Sequence, residues 1–343
     1  MNIFERGARR LDGLQQRSRP LALVFGVMKK FGDDNAGVLV SSLAYSAFGA
    51  VFPLLLLLIT ILGLVLGSHS ALRHDILSST LDKFPIIGND LVGNVKAIRR
   101  HTVIGFVVGI LGLTWGSMGL AQNGIFTMEQ IWNLPGPQRP NYIKRLGRSV
   151  VFLAVLGVGL VLGTFFAAAV PASSSALGLH VSALGLAVAG GVASFIVNFG
   201  EYLVGFRVLT PAAVGFRQLL PGAALAGAGW TVLQALGGYV VGHYLKDDTA
   251  VYGTFAIVLG LFAWIYIIAE LTVYAVELNV VLAKQLWPRA LVNPPTTAAD
   301  RHSIAAQALQ NQRRPEQHIA VSFEGEPLTE RQFLGPRRKR RSP

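Results

Sequence analysis

The chain has 343 residues, 52% of them hydrophobic and only 14% charged, against about a quarter charged in a soluble chain. That composition excludes an ordinary soluble multidomain protein and makes a bilayer the natural solvent. The 30 Lys and Arg outweigh 18 Asp and Glu for a formal charge of +12, and the lack of any cysteine removes disulfides, thiolate metal sites and cysteine nucleophiles.

In chain order, the segment 1–37 opens with basic residues and an apolar run over 21–31 that includes Lys29 and Lys30, suited to a helix lying along the inner membrane surface. Six stretches then meet the requirement of about 20 largely apolar residues for a bilayer crossing: 38–67, 103–121, 150–170, 181–206, 219–243 and 251–283. The first begins too far in and runs too long for a removable signal peptide. Between the first two, Leu72, Ile76, Leu77, Leu81, Phe84, Leu91, Val95 and Ile98 carry the spacing of short amphipathic helices. From about residue 293 the chain turns polar and ends in the run Arg337, Arg338, Lys339, Arg340, Arg341, the composition of a disordered tail.

Lys and Arg are retained on the cytoplasmic side during insertion. Numbering the segments between spans, one set holds 7, 4, 2 and 11 basic residues and the alternate set 5, 0 and 1. The +12 is therefore mostly a topology signal that places both termini in the cytoplasm, and nucleic-acid binding loses its main support. The expected fold is all-α: a polytopic membrane protein with a bundle of six transmembrane helices and short amphipathic helices outside the bilayer. Its parts are a cytoplasmic segment 1–37, a six-span domain 38–283 and a cytoplasmic, largely disordered basic tail 284–343.

Ionisable groups inside a bilayer are costly and need a partner or a job. In the last span Tyr266, Glu270, Tyr274 and Glu277 fall on one helical stripe. Near the inner end of the fourth span, Glu201 lies close to Asn198 and Tyr202. Either these carboxylates line a watery substrate path, or they are packing partners, with Glu277 or Glu201 paired to Arg207, Arg217 or Lys284. The first span has a stripe of small and polar groups, Ser42, Tyr45, Ser46 and Gly49, followed by Pro53, which removes a helical hydrogen bond and favours a kink. Glycines four apart, such as Gly159 and Gly163, let helices approach closely. The 7 histidines show no metal-binding spacing, and there is no phosphate-cradling loop with its lysine, so no enzyme chemistry, metal or cofactor is expected.

The segments 251–255, 263–266 and 276–279 (the last reading Val276, Glu277, Leu278, Asn279), the block 220–223, and Leu43, Ala44 and Tyr45 with Pro53 carry a likeness. On them the chain resembles the YihY/BrkB family of bacterial inner-membrane proteins, once labelled ribonuclease BN. Arg207, shortly before Pro211, falls where that family tends to carry an arginine; Glu129 departs from it, standing where members often have asparagine. The resemblance implies a six-span helical bundle in the bacterial cytoplasmic membrane. It also implies association with the cell envelope and transport of lipids or lipid-linked precursors. The ribonuclease label finds no catalytic constellation in these residues. Two functions follow: a transporter or flippase whose partners are membrane lipids or a lipid-linked substrate, with Glu270, Glu277, Tyr266, Tyr274, Asn279, Tyr45, Ser42, Pro53, Glu201, Asn198 and Arg207 along its path, or a non-transporting scaffold for envelope assembly.

Overall fold

The computed structural model describes residues 3–65, 118–176, 183–212, 214–244, 253–292, 296–323 and 326–327. The outer segment 68–100, most of the second expected span and the terminal basic run lie outside them. The described residues are helical apart from short turns and a two-residue antiparallel pair, β1 Ser322–Phe323 with β2 Glu326–Pro327. The helices are α1 Ile3–Arg17, α2 Arg19–Asp33, α3 Ala36–Val65, α4 over 118–131, α5 Tyr142–Ala176, α6 Ala183–Leu209, α7 Leu220–Tyr244, α8 Gly253–Ala283 and α9 Ala298–Gln310.

Five of these are long: α3 has 30 residues, α5 35, α6 27, α7 25 and α8 31. At about 1.5 Å per residue each exceeds the roughly 30 Å of a hydrocarbon core. Among the described residues two stretches are also apolar enough throughout to cross on hydropathy alone, Val188–Leu209 in α6 and Val258–Ala283 in α8. α5 carries Lys144, Arg145 and Arg148 in its first turns before its long uncharged apolar run, and α7 is rich in glycine. α3 continues as helix through Pro53.

α5 packs on α6, α6 on α7, α7 on α8, and α8 on both α3 and α2. The core at the centre of this row is built of small and branched residues, among them Val40, Ala44, Ala223, Ala226, Val273, Val276 and Val280. Such residues let helix axes close up where no hydrophobic drive separates lipid from protein. Outward-facing Val150, Val158, Val188, Val192, Ile196, Val232, Leu236 and Leu259 are all exposed. In water that apolar belt would be an aggregation surface, whereas acyl chains cover it without cost.

α2 forms where the apolar run 21–31 suggested, entered through Pro20 in its first turn. It buries Ala22, Gly26, Val27 and Lys30 against the bundle and exposes Leu21, Val24 and Met28. The segment 284–343, expected to be largely disordered, contains the docked helix α9. A capping box starts it: the Asp300 N–H donates to Thr297 Oγ1 at 3.1 Å, and the Thr297 N–H donates to Asp300 Oδ2 at 3.1 Å. Its buried face is Ala299, Asp300, Ser303, Ala305 and Ala306, too small and polar for an apolar-periodicity signal.

Candidate functional site

Three helices end together at one end of the bundle through residues of positive φ: Asn35 after α2 (51°), Asn133 after α4 (50°) and Gln285 after α8 (52°). Asparagine tolerates the left-handed region better than most side chains, which suits two of the three stops. The turns close on Leu134 N–H to Glu129 O and Leu286 N–H to Val281 O, both at 3.0 Å, with Leu134 and Leu286 buried beneath them. The last carbonyls of α4 then receive two lysines. Lys30 Nζ donates to Ile131 O at 3.0 Å and Lys284 Nζ donates to Trp132 O at 2.8 Å. Both satisfy orphan helix-end carbonyls and place positive charge at the negative end of the dipole.

Lys30 and Lys284 are balanced by two acids. Lys30 is fully buried, hydrogen-bonds Asp34, and approaches Glu277 Oε2 at 3.6 Å. A second balanced group ties α2 to the C-terminal segment. Arg289 bridges Asp33 through Nη2 and Asp300 through Nε, each at 2.6 Å, while Lys29 Nζ reaches Asp300 at 2.8 Å and donates to Ala290 O at 2.6 Å. Burial alone would raise the Asp300 carboxyl, but hydrogen bonds from Lys29, Arg289, the Ala290 N–H and Thr297 hold it well below the usual carboxylate range.

A third group is not balanced. Glu129 on α4 is fully buried, with Arg145 Nη2 at 3.6 Å and Arg139 Nε at 3.9 Å. Neither carboxylate oxygen has a hydrogen-bond partner. Burial pushes the Glu129 carboxyl up, against the lowering pull of Arg145, Arg139 and Arg148.

Between these groups opens a polar cleft of about 820 Å³, walled by α2, α4, the turn Gly136–Gln138 and α9. Its lining includes Asp33, Asp34, Gln130, Arg139, Gln307 and Gln310. The cleft also touches Leu39 on α3 and Phe126 on α4. One turn further along the same faces, Asn123 Nδ2 donates to Ser42 Oγ and Ser46 Oγ, both at 2.8 Å. A polar seam between α3 and α4 thus lies one turn beyond the cleft, with Leu39 and Phe126 between the two.

The family model described as Virulence factor BrkB matches residues 27–299. The chain belongs to the BrkB family. It is 25% identical over 282 residues to the inner membrane protein YhjD of Escherichia coli (strain K12), covering 76% of this chain and 80% of that protein. It is also 26% identical over 268 residues to a UPF0761 membrane protein of Stenotrophomonas maltophilia (strain K279a), and 24% identical over 252 residues to one of Alcanivorax borkumensis. Those matches span 73% and 70% of this chain but 59% and 56% of the two relatives, little over half their length. No solved structure matches. Like its relatives, this BrkB-family chain is a bacterial integral membrane protein.

Two of the blocks that carry the family likeness touch. The Gly222 N–H, in the first turn of α7, donates to Asn279 Oδ1 at 2.6 Å. A Cβ on Gly222 would run into Ala275 O and the Asn279 amide, so the close helix crossing requires glycine there. Asn279 is fully buried in that contact. The structure brings Glu277 to Lys30 and stacks Tyr274 on Phe31, with centroids 4.3 Å apart and planes at 11°. The stripe of α8 therefore parts: its C-terminal half faces α2, while Glu270 and Tyr266, one and two turns before Tyr274, are half-buried.

Asn198 and Glu201 lie elsewhere, on α6. Asn198 Nδ2 donates to Thr231 Oγ1 at 2.9 Å and to Gln234 Oε1 at 3.3 Å on α7. The Glu201 carboxylate lies over Gly159 of α5, where an added Cβ would come within 2.5 Å of Oε1. Arg207 is exposed and donates to Val214 O at 3.4 Å. Ser42 takes part in the seam, Tyr45 is 75% exposed beside it, and Pro53 lies within α3. Sequence reasoning missed Lys30, Asn123, Arg289 and Asp300. Lys30 was legible only as a basic flank, because its partners come from α4 and α8, roughly 100 and 250 positions away in the chain.

Proposed function

We propose that this BrkB-family protein crosses the cytoplasmic membrane six times with both termini inside, and that it moves an amphipathic molecule, a lipid or lipid-linked envelope precursor, along the α3–α4 seam. The observation that carries this reading is the Asn123–Ser42–Ser46 seam lying one helical turn beyond the inner cleft on the same two helices. Such a path gives a polar headgroup hydrogen-bonding partners at membrane depth while acyl chains stay in lipid. The activity is translocation rather than hydrolysis, and RNA is not its substrate.

A scaffold reading has its own support: Glu277, Asn279 and Asn198 are each engaged by neighbouring helices, as a rigid assembly platform requires. Reconstitution separates the two. In vesicles of fluorescent phospholipid, the wild-type protein should accelerate lipid exchange between leaflets and Asn123→Leu should reduce it at least fivefold. Exchange no faster than in empty vesicles, with a lipid-linked sugar probe as well as with phospholipid, would put the scaffold ahead.

A further inference from the structure

The charge groups at the inner end differ in one respect. Lys30 and Lys284 face Asp34 and Glu277, and Lys29 and Arg289 face Asp33 and Asp300, so both groups close on a zero balance. Around Glu129 three guanidinium groups, Arg139, Arg145 and Arg148, face a single carboxylate. Arg145 Nε and Arg148 Nη1 have no hydrogen-bond partner, and neither does either oxygen of Glu129. Both oxygens of Glu277 and Nη1 of Arg289 are likewise without a hydrogen-bond partner, so what sets the Glu129 group apart is its surplus of positive charge, which is expensive within a structure and marks a place where an anion completes the set.

We propose that the Arg139, Arg145 and Arg148 cluster is a binding site for a phosphate group, with Glu129 as the internal counter-charge that offsets the repulsion among the three guanidinium groups until the anion arrives. A surplus of two positive charges matches a phosphate monoester dianion and more than neutralises the single charge of a diester, and guanidinium forks grip such oxygens in pairs. The side chains of Arg139 and Arg145 are 27% and 25% exposed, enough to be reached from outside. Arg139 also lines the cleft, so the site opens into the 820 Å³ space. Arg145 and Arg148 lie in the first two turns of α5, whose dipole further favours an anion. As the headgroup station of a translocated lipid the site rests on the transport reading; as a phosphate site it does not.

Binding to the purified full-length protein tests it without any transport step. Two probes are used: inorganic phosphate followed by calorimetry, and phosphatidylglycerol followed by native mass spectrometry with phosphatidylcholine as the comparison lipid. Saturable binding is expected, weakened at least fivefold by Arg145→Ala and by Arg148→Ala, and strengthened at least threefold by Glu129→Gln, which removes the competing negative charge. A purely structural cluster gives the opposite sign for Glu129→Gln, because releasing the arginines only disorders them. Binding of phosphatidylglycerol that inorganic phosphate does not displace identifies a lipid headgroup as the source; displacement identifies free phosphate chemistry. Absence of saturable binding of both probes, wild-type affinity in both arginine variants, or a Glu129→Gln loss parallel to that of Arg145→Ala overturns the proposal.

Discussion

Gly222 and Asn279 show how much a single contact decides. One glycine lets the N-terminus of α7 sit against α8, and one amide oxygen accepts its otherwise orphan N–H. Gly222→Ala places a methyl group onto backbone oxygen, which cannot swing aside, so a loss of about 1–3 kcal/mol is expected. It should be visible as a lower melting temperature in detergent and poor recovery of monodisperse protein. Asn279→Ala, which removes only the acceptor, should cost about 1 kcal/mol. Deeper in the same helix Glu270 is half-buried. On the transport reading it faces water or substrate. The chain has no cysteine of its own, so Glu270→Cys should react cleanly with a water-soluble thiol reagent, and Glu270→Gln should lower translocation while leaving the protein in the membrane. An unreactive cysteine together with wild-type translocation in Glu270→Gln would make Glu270 a packing residue.

At the scale of elements, α2 and the long helices were legible because their signal is local: apolar length, periodicity and flanking charge. α9 was not, because what docks it is electrostatic and distant. Asp300 is a lone acid in the sequence, and its value comes from Arg289, Lys29 and the Thr297 cap. For the same reason the sequence offered Arg207, Arg217 or Lys284 as partners of Glu277 and left out Lys30: Lys284 does lie within electrostatic reach of Glu277, but the ion pair at 3.6 Å is with Lys30 on α2. A prediction follows for α9. A carboxyl held below its ordinary value stabilises the folded state above its unfolded pKa of about 3.9, and that contribution is lost as pH falls through the lower folded value. Docking should therefore be insensitive to pH between 7 and 5. Asp300→Asn should release α9 at neutral pH, costing about 3 kcal/mol by leaving Arg289 and Lys29 without their shared partner. Hydrogen exchange over 298–310 measures both effects. Release of wild-type α9 already at pH 5 would show that Asp300 is not what holds it.

Across the whole molecule, two independent features point to the same sidedness. The segments with 7, 4, 2 and 11 basic residues were grouped by charge alone, with no knowledge of contacts. In the fold three of these four meet at one end: α2 bonds the end of α4 through Lys30 and Ile131 O, Lys284 bonds Trp132 O, Arg289 bridges to Asp33, and the Gly136 N–H donates to Gln312 O at 2.8 Å. The fourth, 207–218, adjoins the same end, where the turn Phe216–Gln218 packs on α8. Segments that touch cannot lie on opposite faces of a membrane, so whichever side holds one holds all; in the proposed six-span arrangement the excess of basic residues makes that side the cytoplasm. Cysteines placed at Asn311 and at Lys144 should therefore be shielded from a membrane-impermeant thiol reagent in intact cells and labelled after permeabilisation. A cysteine at Ser173, in the segment with no basic residue between the third and fourth spans, should be labelled in both cases. Labelling of Asn311 and Ser173 from the same side would rule out an odd number of crossings between them, and with it the six-span arrangement and the inward-facing cleft.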